Sequence, residues 1–276
     1  ENPNDFTSGE AYWIYQRVED NLVLTAPGGQ TGNMSGTSLT IVPGWSLISS
    51  PYPFPIDAAL NQTLFYGPIT YGVSAESWTD VQTELIPWSG YALYNRTSND
   101  QTVTLNPIAA TSGTLARTVQ KEGWLMNLAV TAGVYADQFN QLGRIIGAEE
   151  GLDHYDNPEI LPPGEYLSLA YSLPEYSGKT TFTSDLRSPG TDAALWTVNI
   201  RAEGLSETAT LSWNQVQPVT GNEVIRIIDR QTRSVVDPQA VSNLSLGRIN
   251  EQFPRVLDLV AGDPAQVEDL VKEILA

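Results

Sequence analysis

The chain has 276 residues, no cysteine, one histidine and a formal charge of −18 at neutral pH. That length allows one large domain or two to three small ones with a substantial apolar core, and the missing thiols exclude a disulfide miniprotein and cysteine-based catalysis. A pI near 4.2 repels phosphate backbones and anionic bilayers, which argues against a nucleic-acid partner, and a lone His154 rules out multi-histidine metal sites and two-histidine mechanisms.

No apolar run approaches the roughly twenty residues that a helical bilayer crossing requires, so membrane insertion is not expected. The opening Glu1-Asn2-Pro3-Asn4-Asp5 carries neither a basic nor an apolar leader pattern, which suggests a mature or trimmed chain. Most segments are short, β-branched or aromatic, and bounded by Gly, Pro, Asn or Ser, so the chain reads as many strands joined by turns. In order, a hairpin is expected over 11–24, strands over 38–42 and 45–49, and a departure from the sheet at Pro51, Pro53 and Pro55, which cannot donate ladder hydrogen bonds. Strands over 69–73, 90–94 and 102–105 complete a first unit closed by Pro107. A second series runs over 113–119, 123–130, 166–171, 180–183, 195–202, 208–213, 223–229, 234–236 and 255–260. Between them lies an irregular stretch, 137–164, with a helical turn expected near 138–142 and an acidic, Pro-terminated loop. Asp263-Pro264 is a helix start, and Val267, Leu270, Val271, Ile274 and Leu275 then share one face.

The pattern therefore predicts an all-β protein of at least two antiparallel sandwich-like units with a short C-terminal helix. The first unit spans 1–107, the second 108–262, and 263–276 is a helical tail or linker.

Three groups of residues stand out as candidate sites. Asp137, Glu150, Asp153, Asp156, Asn157 and Glu159 place oxygen donors at a density that suits Ca²⁺, because an irregular loop can turn carboxylates and carbonyls inward. The competing reading makes Asp153 and Asp156 local turn-formers that accept backbone N–H groups. His154, flanked by Asp153 and Asp156, lacks a nucleophile to activate; neither a G-x-S-x-G elbow nor an H-E-x-x-H helix occurs. Among the aromatics, Trp45, Trp88, Trp124, Trp196 and Trp213 sit in strand-like runs and read as packing, whereas Tyr66 and Trp78 flank a loop region and are candidates for stacking on a sugar ring. Four Asn-x-Ser/Thr triplets begin at Asn33, Asn61, Asn95 and Asn243.

Pro43-Gly44-Trp45-Ser46-Leu47-Ile48-Ser49-Ser50-Pro51-Tyr52-Pro53 and Ile86-Pro87-Trp88-Ser89-Gly90-Tyr91 resemble the "GWNLIGNPYP … PWxGYW" pattern of large secreted proteins from Bacteroidetes, Chlorobi and relatives. Asp137, Asn140, Gly143, the run Gly151-Leu152-Asp153-His154-Tyr155-Asp156, Pro158 and Pro162-Pro163-Gly164 continue the resemblance. So do Asp185-Leu186-Arg187, Trp196-Thr197-Val198, Leu211-Ser212-Trp213 and Ile228-Asp229. In those proteins, β-rich modules of this kind precede a carboxy-terminal sorting domain, often of the type IX secretion kind. The resemblance covers most of residues 9–264 and implies an extracellular or cell-surface setting.

With no catalytic constellation in view, the expected role is that of a noncatalytic secreted or cell-surface module serving structure, adhesion or assembly. Its expected partners are other extracellular proteins or further copies of itself, and its expected cofactor, if any, is Ca²⁺. One rival is a carbohydrate-binding module that meets a polysaccharide through Tyr66 and Trp78. A second is a hydrolase fragment using paired carboxylates, whose separation is spatial and so invisible in sequence.

Overall fold

The structure is a computed structural model that describes residues 7–13, 34–72, 77–79, 81–110, 122–161, 164–173, 181–205, 207–219 and 221–276. Expected strands within 14–24 and over 113–119 lie outside these residues. In chain order the strands are β1 (Thr37–Ile41), β2 (Gly44–Ser49), β3 (Ile56–Asp57), β4 (Phe65–Ile69), β5 (Tyr71–Gly72), β6 (Ser77–Trp78), β7 (Glu84–Leu85), β8 (Gly90–Asn95) and β9 (Gln101–Leu105). Then follow β10 (Gly123–Ala132), β11 (Tyr135–Ile145), β12 (Tyr166–Tyr171), β13 (Ser184–Arg187), β14 (Ala194–Glu203), β15 (Thr208–Gln217), β16 (Val224–Asp229), β17 (Ser234–Val236), β18 (Asn243–Arg248) and β19 (Arg255–Gly262), and finally α1 (Pro264–Leu275). Strand accounts for 51% of the chain and helix for 5%, so the protein is all-β.

The chain divides into two compact units, Glu1–Tyr71 with Thr79–Ala116, and Gly72–Trp78 with Arg117–Ala276. In the first, β2, β8 and β4 form a sheet in the order β2-β8-β4, while β1 pairs with β9 and β3 with β7. Alternate residues Leu39 and Ile41 of β1 and Val103 and Leu105 of β9 point into one core with Ile48, Ile56, Leu85 and Leu93. As expected, the chain leaves the sheet at its alternating prolines. There Tyr52 folds onto the core, and its hydroxyl donates to the Leu105 carbonyl at 3.0 Å. The expected strand over 69–73 is instead divided: β4 ends at Ile69 and β5 starts at Tyr71.

The second unit has two five-stranded sheets, ordered β13-β11-β10-β15-β18 and β12-β14-β19-β16-β17. Strict alternation builds its core: Trp124, Met126, Leu128 and Val130 of β10 meet Trp196, Val198 and Ile200 of β14 and Leu257 and Leu259 of β19 in one cluster. β18, which was not anticipated, closes the first sheet on β15. The outer face of the second sheet carries Ile228 and Val260, and α1 covers them with Val267 and Val271. Asp263 caps that helix, its carboxylate accepting from the backbone N–H of Ala265 at 3.0 Å and of Gln266 at 3.4 Å, with Pro264 in the first position.

The irregular stretch expected over 137–164 begins as a strand. β11 runs without a break through the segment read as a helical turn, pairing with β10 from Gly123↔Ile145 to Ala132↔Tyr135. The turn signal at 138–142 was a β-bulge: register moves from Leu128↔Asn140 to Val130↔Asp137, so Ala129 faces both Gln138 and Phe139. The bulge brings Asp137 and Asn140 onto the same, inward face of β11.

On its other side β11 pairs in parallel with β13, and Gly143 lies in the middle of this tight triple of strands. A Cβ at Gly143 would stand 2.2 Å from the Trp124 carbonyl oxygen, a backbone atom that cannot swing away. Gly143→Ala is expected to lower stability by about 2–3 kcal/mol or more, seen as an earlier urea midpoint with an unchanged fold by circular dichroism.

Candidate functional site

The six acidic-loop residues do not converge. They fall into three separate arrangements, each explained by what the neighbouring backbone lacks. Asp153 and Asp156 organise the loop itself. Asp153 accepts from the N–H of Glu149 at 2.8 Å and of Tyr155 at 2.6 Å, and Asp156 accepts from the N–H of Asp153 at 2.8 Å. The other oxygen of Asp156 accepts from the N–H of Leu186 in β13 at 3.1 Å. β13 is an edge strand, so this amide has no strand beside it, and the carboxylate takes the place of one. Asn157 joins the same staple through its backbone, its N–H donating to Ser184 Oγ at 2.7 Å and its carbonyl accepting from Thr183. Glu150 stands apart and accepts from the Ser188 hydroxyl at 2.8 Å.

The third arrangement joins Asp137 and Glu159. Asp137 reaches from β11 to β12, the edge strand of the opposite sheet, and accepts from the Leu169 N–H at 2.7 Å. Its second oxygen accepts from Asn140 Nδ2 at 2.8 Å. Glu159 is held by its N–H to the Thr181 carbonyl at 2.8 Å and accepts from Ser168 Oγ at 3.3 Å. Burial pushes the Asp137 carboxyl up to about 6, although the Leu169 amide and Asn140 both favour the charged form. Burial likewise raises Glu159 well above the ordinary carboxyl range, and the Asp137 charge raises it further. Asp156 is pushed up to about 7 by burial, against the pull of its two backbone donors. Among the described residues, no three histidine or acidic side chains come together as a metal-holding group.

An acid held protonated near neutrality is a candidate proton donor, and Asp137 with Glu159 is the pair that a paired-carboxylate mechanism would call on. Both oxygens of Asp137, however, are already engaged by Leu169 and Asn140, which makes this carboxylate a tie between the two sheets. His154 is exposed, its ring lying 3.9 Å from that of Tyr155.

The aromatic expectations need correction. Tyr66 lies in β4 and not in a loop; it is only 9% exposed, with Trp45 edge-on at 5.8 Å and the Arg96 guanidinium over its ring. That leaves no free face for a sugar. Trp78 is half-buried in β6. Trp124 and Trp196 are core residues that meet edge to face at 5.8 Å, and the Trp196 indole N–H donates to the Asp185 carbonyl. Trp213 is half-buried and donates to the Pro238 and Val241 carbonyls.

Trp88, expected in the core, is instead 99% exposed. It occupies the third position of a turn closed by the Ser89 N–H on the Ile86 carbonyl, with Pro87 second and φ of 65° at Trp88. These are the features of a type II turn, whose third position favours glycine because other residues are strained there. The Pro-Trp-Ser-Gly run carried that turn signal, and the strand-like flanks hid it. Of the four Asn-x-Ser/Thr triplets, Asn33 lies outside the described residues and Asn95 is occupied, its buried amide donating to the Ile41 and Asn99 carbonyls.

The raised carboxyls make stability depend on pH in an unusual direction. Folded Asp137 and Asp156 hold protons that an unfolded chain releases near pH 4, so their contribution is complete below that value and disappears as pH rises through about 6 and about 7. Urea unfolding is expected to show more stability at about pH 5 than at about pH 8, by about 2 kcal/mol or more, with Asp156→Asn flattening the profile. A midpoint that instead rises over this range would contradict the assignment.

No protein-family model, no curated protein and no solved structure matches the chain.

Proposed function

We propose that this chain is a noncatalytic β-sandwich module of a secreted or cell-surface protein, with an adhesive or assembly role. The observation that carries this reading is Trp88. A fully exposed indole gains nothing from folding, and a positive φ at a bulky residue costs on the order of 1 kcal/mol. Both costs fall on one residue, in a turn held firmly by the Tyr91 hydroxyl, which accepts from the Ile86 N–H at 2.8 Å. A rigid turn that displays an apolar ring is the form of a contact point that becomes buried when a partner arrives.

Three further features support the reading. The acidic surface suits an extracellular module, the motifs around Trp45 and Trp88 resemble those of secreted bacterial proteins, and the acids of the long loop are engaged in holding strand edges. The partner proposed is another extracellular protein or a second copy of the chain. A second reading is favoured by the same residue: a flat, exposed indole also stacks on sugar rings, which would make Trp88, in place of Tyr66, the platform of a carbohydrate-binding module.

Trp88→Gly separates a binding role from a structural one. Glycine relieves the strained φ, so stability is expected to stay within about 1 kcal/mol of the parent or to rise. Concentration-dependent association in sedimentation, or retention on immobilised polysaccharide, is expected to fall at least tenfold, the first result selecting assembly and the second glycan binding. Parent protein that stays monomeric and binds no surface or glycan, with indole emission unchanged throughout, would overturn the proposal.

A further inference from the structure

The bulge in β11 turns Asp137 and Asn140 toward an apolar interior. They stand opposite Val130 and Leu128, both fully buried members of the sandwich core, with Leu142 next on the same face. Asn140 has no exposed surface, and only half of its amide is used: Nδ2 donates to Asp137 at 2.8 Å, while Oδ1 is buried without a hydrogen-bond partner. Rotating the amide would not help, because it would set Oδ1 against the Asp137 carboxylate oxygen. Tyr171, across the core on β12, is also fully buried, and its hydroxyl too lacks a partner. The Asp137 charge reaches both Tyr171 and Glu159. Two carboxylates, an orphaned amide oxygen and an orphaned hydroxyl thus occupy one region of the interface between the sheets.

A bound water would satisfy the amide oxygen but would leave two like charges in a desolvated place. A proton would neutralise one carboxyl and offer nothing to Asn140. A hard divalent cation does both, accepting the amide oxygen as a ligand while cancelling the paired charge. The donors are all oxygen, which selects against soft thiophilic metals, and their irregular placement suits the flexible coordination of Ca²⁺ better than the octahedron of Mg²⁺.

We propose that Asp137, Asn140 and Glu159, with the Tyr171 hydroxyl beside them, form a Ca²⁺ site that ties β11 to the β12 edge. The ligand set differs from the one expected from sequence. Asp137 and Glu159 remain and Asn140 enters, while Glu150, Asp153, Asp156 and Asn157 serve the backbone and hydroxyls described above. With two charged ligands, the site belongs to the weak class, with dissociation constants on the order of 10⁻⁴–10⁻³ M. The inference does not depend on the adhesive role.

The test uses the full chain, stripped with a chelator and titrated with CaCl₂ or MgCl₂ to about 5 mM. Calorimetry is expected to show a single Ca²⁺ isotherm, and thermal unfolding a saturable rise of about 3 °C, with Mg²⁺ producing less. Both signals are expected to vanish in Glu159→Gln and in Asn140→Leu and to persist in Glu150→Gln. Because Asp137→Asn also disturbs the tie to Leu169, Glu159→Gln carries the decision. Absence of heat and of thermal shift in the parent protein, or a Ca²⁺ response retained in Glu159→Gln, would overturn the site.

Discussion

The amides of the sandwich's two edge strands have to be satisfied, and the protein does this with carboxylates. β12 and β13 each end their sheet, so half of their backbone N–H groups face no strand. Asp137 takes the Leu169 amide and Asp156 the Leu186 amide, while the chain at Phe182 bridges to Tyr171 through a pair of backbone bonds of 2.7 and 3.1 Å. A charged acceptor makes a stronger hydrogen bond than a neutral one, and it also disfavours the approach of a foreign strand. The acids of the long loop are thereby placed by the topology: they lie where the two sheets run out of strands.

This arrangement has an electrostatic consequence. Carboxylates recruited to a seam lose water without gaining cations of their own. The basic residues of the second unit are committed elsewhere: Arg144 to the Gly190 and Asp192 carbonyls and to Glu223, Arg187 to Asp185, and Arg230 to Asp258. Desolvation then outweighs hydrogen bonding, which is why Asp137, Asp156 and Glu159 all shift upward although backbone and side-chain donors pull Asp137 and Asp156 down and a hydroxyl does the same for Glu159. In a chain with an excess of acid overall, every further charge at the seam adds to the repulsion. Protons and hard cations are the two agents that relieve it.

Much of the architecture was legible because alternation is a strong signal. Strands such as β14, with Ala194, Trp196, Val198, Ile200 and Ala202 inward, read directly as half-buried β structure, and the Asp263-Pro264 start with its apolar face fixed the helix. What failed did so for local reasons. The bulge at Gln138 and Phe139 broke the period of β11 and imitated a turn of helix, hiding a strand and the inward aim of Asp137 and Asn140 with it. β18 presents a weakly buried edge, so its alternation is faint. The acidic cluster was visible as composition, yet which acid would turn to a backbone amide depended on where the edge strands fell, and that is a property of the whole topology.

Trp88 shows the converse error, in which a residue type suggests burial and the backbone overrules it. Tryptophan in an aromatic, strand-like run is ordinarily scaffold, as Trp124 and Trp196 are. At Trp88, however, the preceding proline fixes a turn and the following Ser89-Gly90 leads into β8, so the indole projects outward at the one position where glycine would be relaxed. Stability alone offers no reason to keep an indole there, because folding buries none of it and the backbone is strained to hold it. A cost with no return in the folded chain points to a return outside it, and a residue whose removal leaves the fold intact is where an external contact can be sought without confusing binding with folding.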